Sequence, residues 1–400
     1  MLKTSPYGWI SQYLFGFFFA YGVYLPFWAL WFSSQGIPTE DIGTLVGIGF
    51  ATRCLSNLVI TPRVHKVEFF LPVLRWLAFG GMIAVSLHFT AGGSFWLMAL
   101  MTVLFNICMG PMMPLPDAMA NYYAKQNMLD YGSTRVWGSI SFIVGSTLVG
   151  YLASRYGSHW ILYVGLGGFV ATWLMSLRIP NPLPVSLSEE TKKARPKLFA
   201  LLREWSVVKF LLLVALIQGS HAAYYSVGSL YWKESGYSEN IIGYLWSLGV
   251  VAEVLLFALS KRLFSGFSVR TLFYVSAIAV FVRWGITATT TALIPLVVVQ
   301  LLHSLTYALA HLAAIRYIQF ANQSRMVALQ ALYNAIAQGA SIAIMTSFSG
   351  WGFSHWGANV FWVMAAMGIG ALFIRLDIPR SQIRGSNSSK ESAVAQKSLS

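Results

Sequence analysis

The sequence predicts an all-helical membrane protein with twelve transmembrane helices in two six-helix halves. Three observations predict it: the composition, the lengths of the apolar runs, and the alternation of basic residues from loop to loop. Of the 400 residues, 56% are hydrophobic and 15% aromatic, while only 10% are charged. Soluble domains carry about 25% charged residues, so water is not the main solvent of this chain.

A helix that crosses the hydrocarbon core of a bilayer needs about 20 mainly apolar residues. Runs of this kind predict helices over 9–32, 42–62, 71–90, 94–115, 136–154 and 159–178. Six more are predicted over 207–232, 241–259, 270–289, 292–314, 327–349 and 355–376. The first run has only Lys3 before it, is too long for a signal-peptide core and leads to no small-residue cleavage site, so it is read as a retained helix. In the fourth, Pro111, Pro114 and Pro116 remove backbone donors and are expected to bend or end the helix, leaving Asp117 at its end. The seventh is interrupted by the polar segment Gln218-Gly219-Ser220-His221.

The formal charge is +14, which in a soluble protein would suggest nucleic acid. Here the basic residues sort by loop. With the N-terminus inside, one face holds Lys3, Arg63, Lys66, Lys125, Arg135, Lys192, Lys193, Arg195, Lys197, Arg203, Lys261, Arg262, Arg270, Arg316, Arg325, Arg380 and Arg384. The other face keeps Arg155 and Lys233. By the positive-inside rule this places both termini in the cytoplasm, and it argues against a nucleic-acid partner. Cys54 and Cys108 fall inside apolar runs and read as small buried side chains without a disulfide framework.

Residues 179–206, with Pro180, Pro182, Pro184 and the run Ser188-Glu189-Glu190-Thr191-Lys192-Lys193, read as a cytoplasmic linker. They separate a first bundle, 1–178, from a second, 207–376, and 377–400 reads as a disordered cytoplasmic tail. The bundles echo each other at an offset of 200: Gly36, Gly43, Gly49 and Arg53 match Gly236, Gly243, Gly249 and Glu253. The same offset pairs Tyr21 with His221 and Tyr24 with Tyr224. Parallel repeats of this sort mark transporters built from two related bundles around a central site.

An ionisable side chain at the bilayer centre costs at least about 2.5 kcal/mol on insertion scales, so each one needs a reason. The candidates are Arg53, Asp117, His221, Glu253, Arg283, His303 and His311, with Arg135 at the start of the fifth helix. Arg53 and Glu253 occupy matching places and face either a shared cavity or one another as a structural pair. A carboxylate in a partly dry cavity can gain and lose a proton, which makes Glu253 the first choice for proton coupling. Arg283 reads as a partner for Glu253 or as a clamp for an anionic substrate, since guanidinium and carboxylate match in geometry. His303 and His311, eight apart, share a helical face but lack the i, i+4 spacing of a zinc pair, and no metal or cofactor is expected. His221 reads as structural or functional, and Asp117 with Arg135 as end-of-helix electrostatics or as part of a site. Tyr21 and Tyr24 share a face with polar tips and are candidates for the cavity wall, as is Tyr224.

The stretch Tyr131-Gly132-Ser133-Thr134-Arg135-Val136-Trp137-Gly138-Ser139, with Pro116-Asp117-Ala118, Val282-Arg283 and His303, resembles the sugar- and nucleoside-proton symporters of the major facilitator superfamily. In lactose-carrying members the positions of Asp117 and Arg135 hold a Glu and an Arg that bind substrate. Those of Arg283 and His303 hold an Arg and a His of the coupling network. The resemblance therefore implies the major facilitator fold, with substrate-binding roles for Asp117 and Arg135 and coupling roles for Arg283 and His303. Two departures stand out: the proton-carrying Glu of that family is Thr306 here, and the loop after the second helix has His65 where many members carry an Asp. Tyr231-Trp232, Gly236-Tyr237-Ser238, residues 243–253 and Gly339-Ala340-Ser341 resemble a branch that takes up aromatic acids. That likeness, and not the composition, implies a small aromatic carboxylate such as 3-phenylpropionate, carried with protons across a bacterial inner membrane by a monomer. The alternative is a nucleoside or oligosaccharide proton symporter. No HExxH, no Gly-x-Ser-x-Gly and no cytoplasmic catalytic domain is found, so an enzyme is not expected.

Overall fold

Each apolar run becomes a helix, and each connection on one side of the molecule is a tight turn. The computed structural model describes residues 3–64, 66–185, 198–321 and 323–377. The first half comprises α1 (Pro6–Ser34), α2 (Thr39–Arg63), α3 (Val67–His88), α4 (Phe95–Ala124), α5 (Tyr131–Tyr156) and α6 (Trp160–Ser176). The second comprises α7 (Trp205–Glu234), α8 (Glu239–Phe264), α9 (Val269–Thr289), α10 (Leu293–Gln319), α11 (323–356) and α12 (Val360–Leu372). Ten runs among the described residues are long and apolar enough to span a membrane. The last run, 325–372, is broken at Gly357 into α11 and α12, and α6 is a shorter apolar helix, which gives twelve in all. The chain is a multi-pass, all-helical membrane protein.

The first turn of each half uses glycine where the backbone must turn left-handed: Gly36 and Gly236 have φ of 81° and 92°. They lie on what is here termed the far face, opposite the N-terminal segment. Lys233, one of two basic residues assigned to that face, is neutralised by Glu239 at 2.7 Å.

Three local features differ from the sequence expectation. α4 does not end at the prolines; after a turn at 110–113 the helix resumes at Pro114 and runs to Ala124. Proline is tolerated in a first helical turn, where its missing N–H has no partner to lose, so Asp117 begins a new segment instead of closing an old one. Wide turns open α7 at Tyr224–Gly228, α10 at Ser304–Leu309 and α11 at Ile336–Ala340, all in the second half. Such turns shift side chains out of helical register and often accompany function. Finally, Lys3–Thr4 pairs in parallel with Ile179–Pro180.

The start of the expected linker lies against the first half. Tyr123 and Tyr122 donate to the carbonyls of Pro182 at 2.7 Å and Val185 at 2.8 Å. Arg75 closes the end of α6 by donating to the carbonyls of Ser176, Leu177 and Arg178. The rest of the expected linker run, Ser188 to Lys193 with Arg195 and Lys197, lies outside the described residues, as do His65, Arg380, Arg384 and the tail beyond Asp377.

The halves meet along two helix pairs, α2 with α11 and α5 with α8. Toward the far face these contacts are backbone to backbone. A Cβ at Gly43 would lie 2.5 Å from Cα of Gly350, and a Cβ at Gly243 would lie 2.5 Å from the carbonyl oxygen of Ser146. Glycine is what permits that approach. The Ser146 and Ser247 hydroxyls close the α5–α8 pair at 2.8 Å. Toward the opposite, near face the side chains of Asp117, Arg135 and Glu253 retain 26%, 33% and 26% exposure. The seam is thus sealed on one side and accessible on the other.

Candidate functional site

The middle of the seam carries charge, and the two halves supply it differently. On the first half, Arg53 of α2 donates to the Tyr21 hydroxyl of α1 at 3.0 Å. Its guanidinium lies over the rings of Phe50 and Tyr21, at 4.5 and 5.5 Å from their centroids. Arg135 of α5 faces Asp117 of α4 at 3.6 Å and rests over Phe18 at 4.9 Å. Tyr24 turns away from the seam: its hydroxyl meets Asn106 of α4, whose Nδ2 donates to it at 3.2 Å.

On the second half, Glu253 of α8 lies 3.8 Å from His303 Nε2 of α10. Arg283 does not pair with Glu253, one of the two sequence readings. It is fully buried and donates to the Val299 carbonyl, to His303 Nδ1 and to Thr306 Oγ1, each at 3.0 Å. An arginine only donates, so His303 Nδ1 must accept, and its proton sits on Nε2, pointing at Glu253. His221 Nδ1 lies 3.2 Å from the Gln218 carbonyl, so Nδ1 donates and Nε2, 3.0 Å from Thr306, accepts. Thr306, standing where the resembling family has a carboxylate, therefore receives Arg283 and gives its own proton to His221. Arg283 is also enclosed by Tyr224 and Trp284, at 4.9 and 4.2 Å, and its Nη2 has no protein partner. Tyr224 itself donates to Gln300 at 3.1 Å and stacks on Trp246 at 4.1 Å.

His303 and His311 do share a face of α10, with Tyr307 stacked between them at 5.4 and 6.5 Å. His311 shares a 2.8 Å hydrogen bond with Tyr333, which also receives Gln338. Among the described residues no group of three or more His, Cys, Asp or Glu gathers as a metal site.

The structure thus brings Arg53, Tyr21, Asp117, Arg135 and Glu253 to the seam. It places His221, Tyr224, Arg283 and His303 in a network behind Glu253, and puts Tyr24 and His311 to either side. Sequence reasoning missed Asn106 and Gln300, the amides hydrogen-bonded to Tyr24 and Tyr224, although both are polar residues inside predicted spans. It also missed His88, buried in the predicted span 71–90, with Nδ1 2.8 Å from the Ala84 carbonyl.

Two pseudo-symmetric six-helix bundles around a charged seam define a membrane transporter of the major facilitator kind. A family model described as "MFS_1 like family" matches residues 7–364, and the chain belongs to that family. It is a transporter and not an enzyme. It is 43% identical to the "Probable 3-phenylpropionic acid transporter" of Escherichia coli (strain K12), over 92% of this chain and 96% of that protein. It is 22% identical to the "Maltose permease" of Geobacillus stearothermophilus, over 92% of this chain and 93% of that one. The crystal structure of the nucleoside transporter NupG superposes with a TM-score of 0.78 at 16% identity, covering 92% of this chain and 98% of NupG, a likeness of fold.

Proposed function

We propose that the protein carries 3-phenylpropionate, or a related small aromatic carboxylate, together with protons into the cell across a bacterial inner membrane. Both termini are cytoplasmic in this reading, the working unit is a monomer, and the bundles 1–178 and 207–376 rock about the seam with 179–206 as their linker.

One observation carries the choice of an anion. Three arginines, Arg53, Arg135 and Arg283, lie in or behind the seam, against two carboxylates, Asp117 and Glu253. With both carboxylates ionised and the histidines neutral, as before proton uptake, one positive charge is unmatched. A sugar or nucleoside leaves it so; a monoanionic carboxylate neutralises it. The name of the 43% identical relative supports the aromatic acid.

In this reading Arg135, Asp117, Arg53 and Tyr21 contact substrate, with Tyr24, His221 and Tyr224 shaping the wall. Glu253 takes up the proton, His303 and Arg283 hold it in place, and His311 lies on the path toward the near face. A charge crossing 100 mV is worth about 2.3 kcal/mol, so one proton with one monoanion moves without electrical work.

The test is uptake of labelled 3-phenylpropionate into right-side-out membrane vesicles, with and without a protonophore. Accumulation that the protonophore abolishes is expected, unaffected by excess nucleoside or maltose. Equal uptake by vesicles lacking the protein overturns the substrate, and competition by nucleosides or maltose points to the neutral-substrate reading.

A further inference from the structure

We propose that Arg53 anchors the substrate carboxylate and that the ring pair Phe50–Tyr225, one ring from each half, grips the aryl group. This rests on the aromatic-acid reading above and assigns the groups that recognise that substrate.

The three arginines are not equivalent. Arg135 already faces Asp117 at 3.6 Å. Arg283 is fully buried, holds three acceptors and is covered by Tyr224 and Trp284. Arg53 is half-buried, enters no ion pair among those of the described residues, and has one hydrogen-bond partner, the neutral Tyr21 hydroxyl. Its other N–H groups are absent from the buried orphan atoms, so they keep access to the seam. The Arg53 guanidinium carbon lies 4.5 Å from the centroid of the Phe50 ring, and an edge of a guanidinium is the part that takes a carboxylate with two parallel hydrogen bonds.

Around Phe50 lies a small apolar patch at the margin of the main core. Phe50, Ile342 and Ala343 form it, joined by Leu25, Val46, Ala51 and Tyr225. Phe50 and Tyr225 stack across the seam with centroids 5.8 Å apart and planes at 25°. A small carboxylic acid with a ring a few bonds from its carboxyl group has the same two parts in the same order: an anion for Arg53 and an aryl ring to pack against the pair beside it. Because Arg53 and Phe50 belong to α2 and Tyr225 to α7, one bound molecule touches both halves. The acid that faces the seam from α8, Glu253, stands in the repeat at the position of Arg53, so anion and proton are taken up by equivalent places on opposite halves.

The experiment uses the full chain in lipid nanodiscs and measures the affinity of 3-phenylpropionate and of hexanoate, an aliphatic carboxylate, by competition. Wild type is expected to prefer the aryl acid. Arg53→Gln weakens both ligands by about tenfold or more, and Arg53→Lys recovers part of the loss, because charge without the planar fork restores half of the contact. Phe50→Ala and Tyr225→Ala each cut the aryl preference by about fivefold, since a lost aromatic contact is worth about 1 kcal/mol, while hexanoate falls less. Retention of the melting temperature and of monodisperse elution identifies the folded variants. Unchanged carboxylate affinity in Arg53→Gln, or an intact aryl preference in both ring variants, overturns the assignment. Wild type without affinity for 3-phenylpropionate overturns the aromatic-acid function itself, a separate outcome.

Discussion

Tyr24 and Tyr224 show how far the two halves agree. Each sits one helix in from the seam and shares a hydrogen bond with an amide, Asn106 Nδ2 at 3.2 Å in the first half and Gln300 Oε1 at 3.1 Å in the second. Under each pair lies a glycine of the repeat: a Cβ at Gly49 would lie 3.0 Å from the Tyr24 hydroxyl, and one at Gly249 would lie 3.3 Å from Gln300 Oε1. One turn further along α2 and α8 the agreement ends. Arg53 is held by a phenol, whereas Glu253 is held by an imidazole that is itself held by a guanidinium. A repeated scaffold with unrepeated chemistry lets one seam present a cation from one side and a proton acceptor from the other. All three wide turns fall on the side with the longer hydrogen-bond network, where side chains must leave regular register to converge.

The comparison is most easily broken at the sealed end of the seam. Gly43 against Gly350 and Gly243 against Ser146 are the same contact in the two pairs of helices, so Gly43→Trp and Gly243→Trp should act alike. An indole cannot enter a gap in which even a Cβ collides. Overpacking costs about 1–3 kcal/mol, which lowers the far-closed population by up to about a hundredfold. Initial uptake rates should fall in that proportion while substrate binding in nanodiscs persists. Loss in one variant and not the other would show that only one helix pair gates the seam.

Glu253→Gln is expected to act next most strongly, and on energetics more than on binding. An amide keeps the shape and still accepts from His303 Nε2, but it carries no exchangeable charge. Protonophore-sensitive accumulation should vanish, with substrate exchange across the membrane continuing. Proton-driven accumulation at the wild-type level would remove Glu253 from the proton path and place the acid elsewhere, Asp117 being the other carboxylate of the seam.

Much of this architecture was legible in the sequence, for physical reasons. Spans follow from the thickness of the bilayer, and the repeat follows from glycines that only a turn or a backbone contact requires. Arg53 and Glu253 could be paired by number before any coordinates, because a charge inside a span has few places to go. What periodicity does not encode is lateral choice. It places Arg283 and His303 on their helices without saying that Arg283 reaches His303 and Thr306 and leaves Glu253 to the imidazole. It reads three prolines as a bend or an end without saying which: the helix is interrupted at 110–113, and Pro114 then starts the next helical segment and carries α4 to Ala124. Phe50 and Tyr225 look like ordinary apolar residues until two distant helices are laid side by side.

The smallest expected effect is the most direct measure of the repeat. Tyr24→Phe and Tyr224→Phe each delete one hydroxyl and leave the ring packing. Asn106 Nδ2 keeps a second acceptor, the Thr102 carbonyl at 2.9 Å, and its Oδ1 loses a long contact of 3.5 Å, so the first half can absorb the loss. Gln300 is fully buried, its Nε2 already lacks a partner, and Tyr224 is the one donor to its Oε1 among the hydrogen bonds of the described residues. A hydrogen bond contributes about 1 kcal/mol net, and an acceptor stranded in the interior costs about 1–3 kcal/mol. Thermal unfolding in detergent should therefore rank Tyr224→Phe as the more destabilising of the two. Equal shifts would mean that the two tyrosine–amide pairs are interchangeable, and that the halves diverge only at the seam.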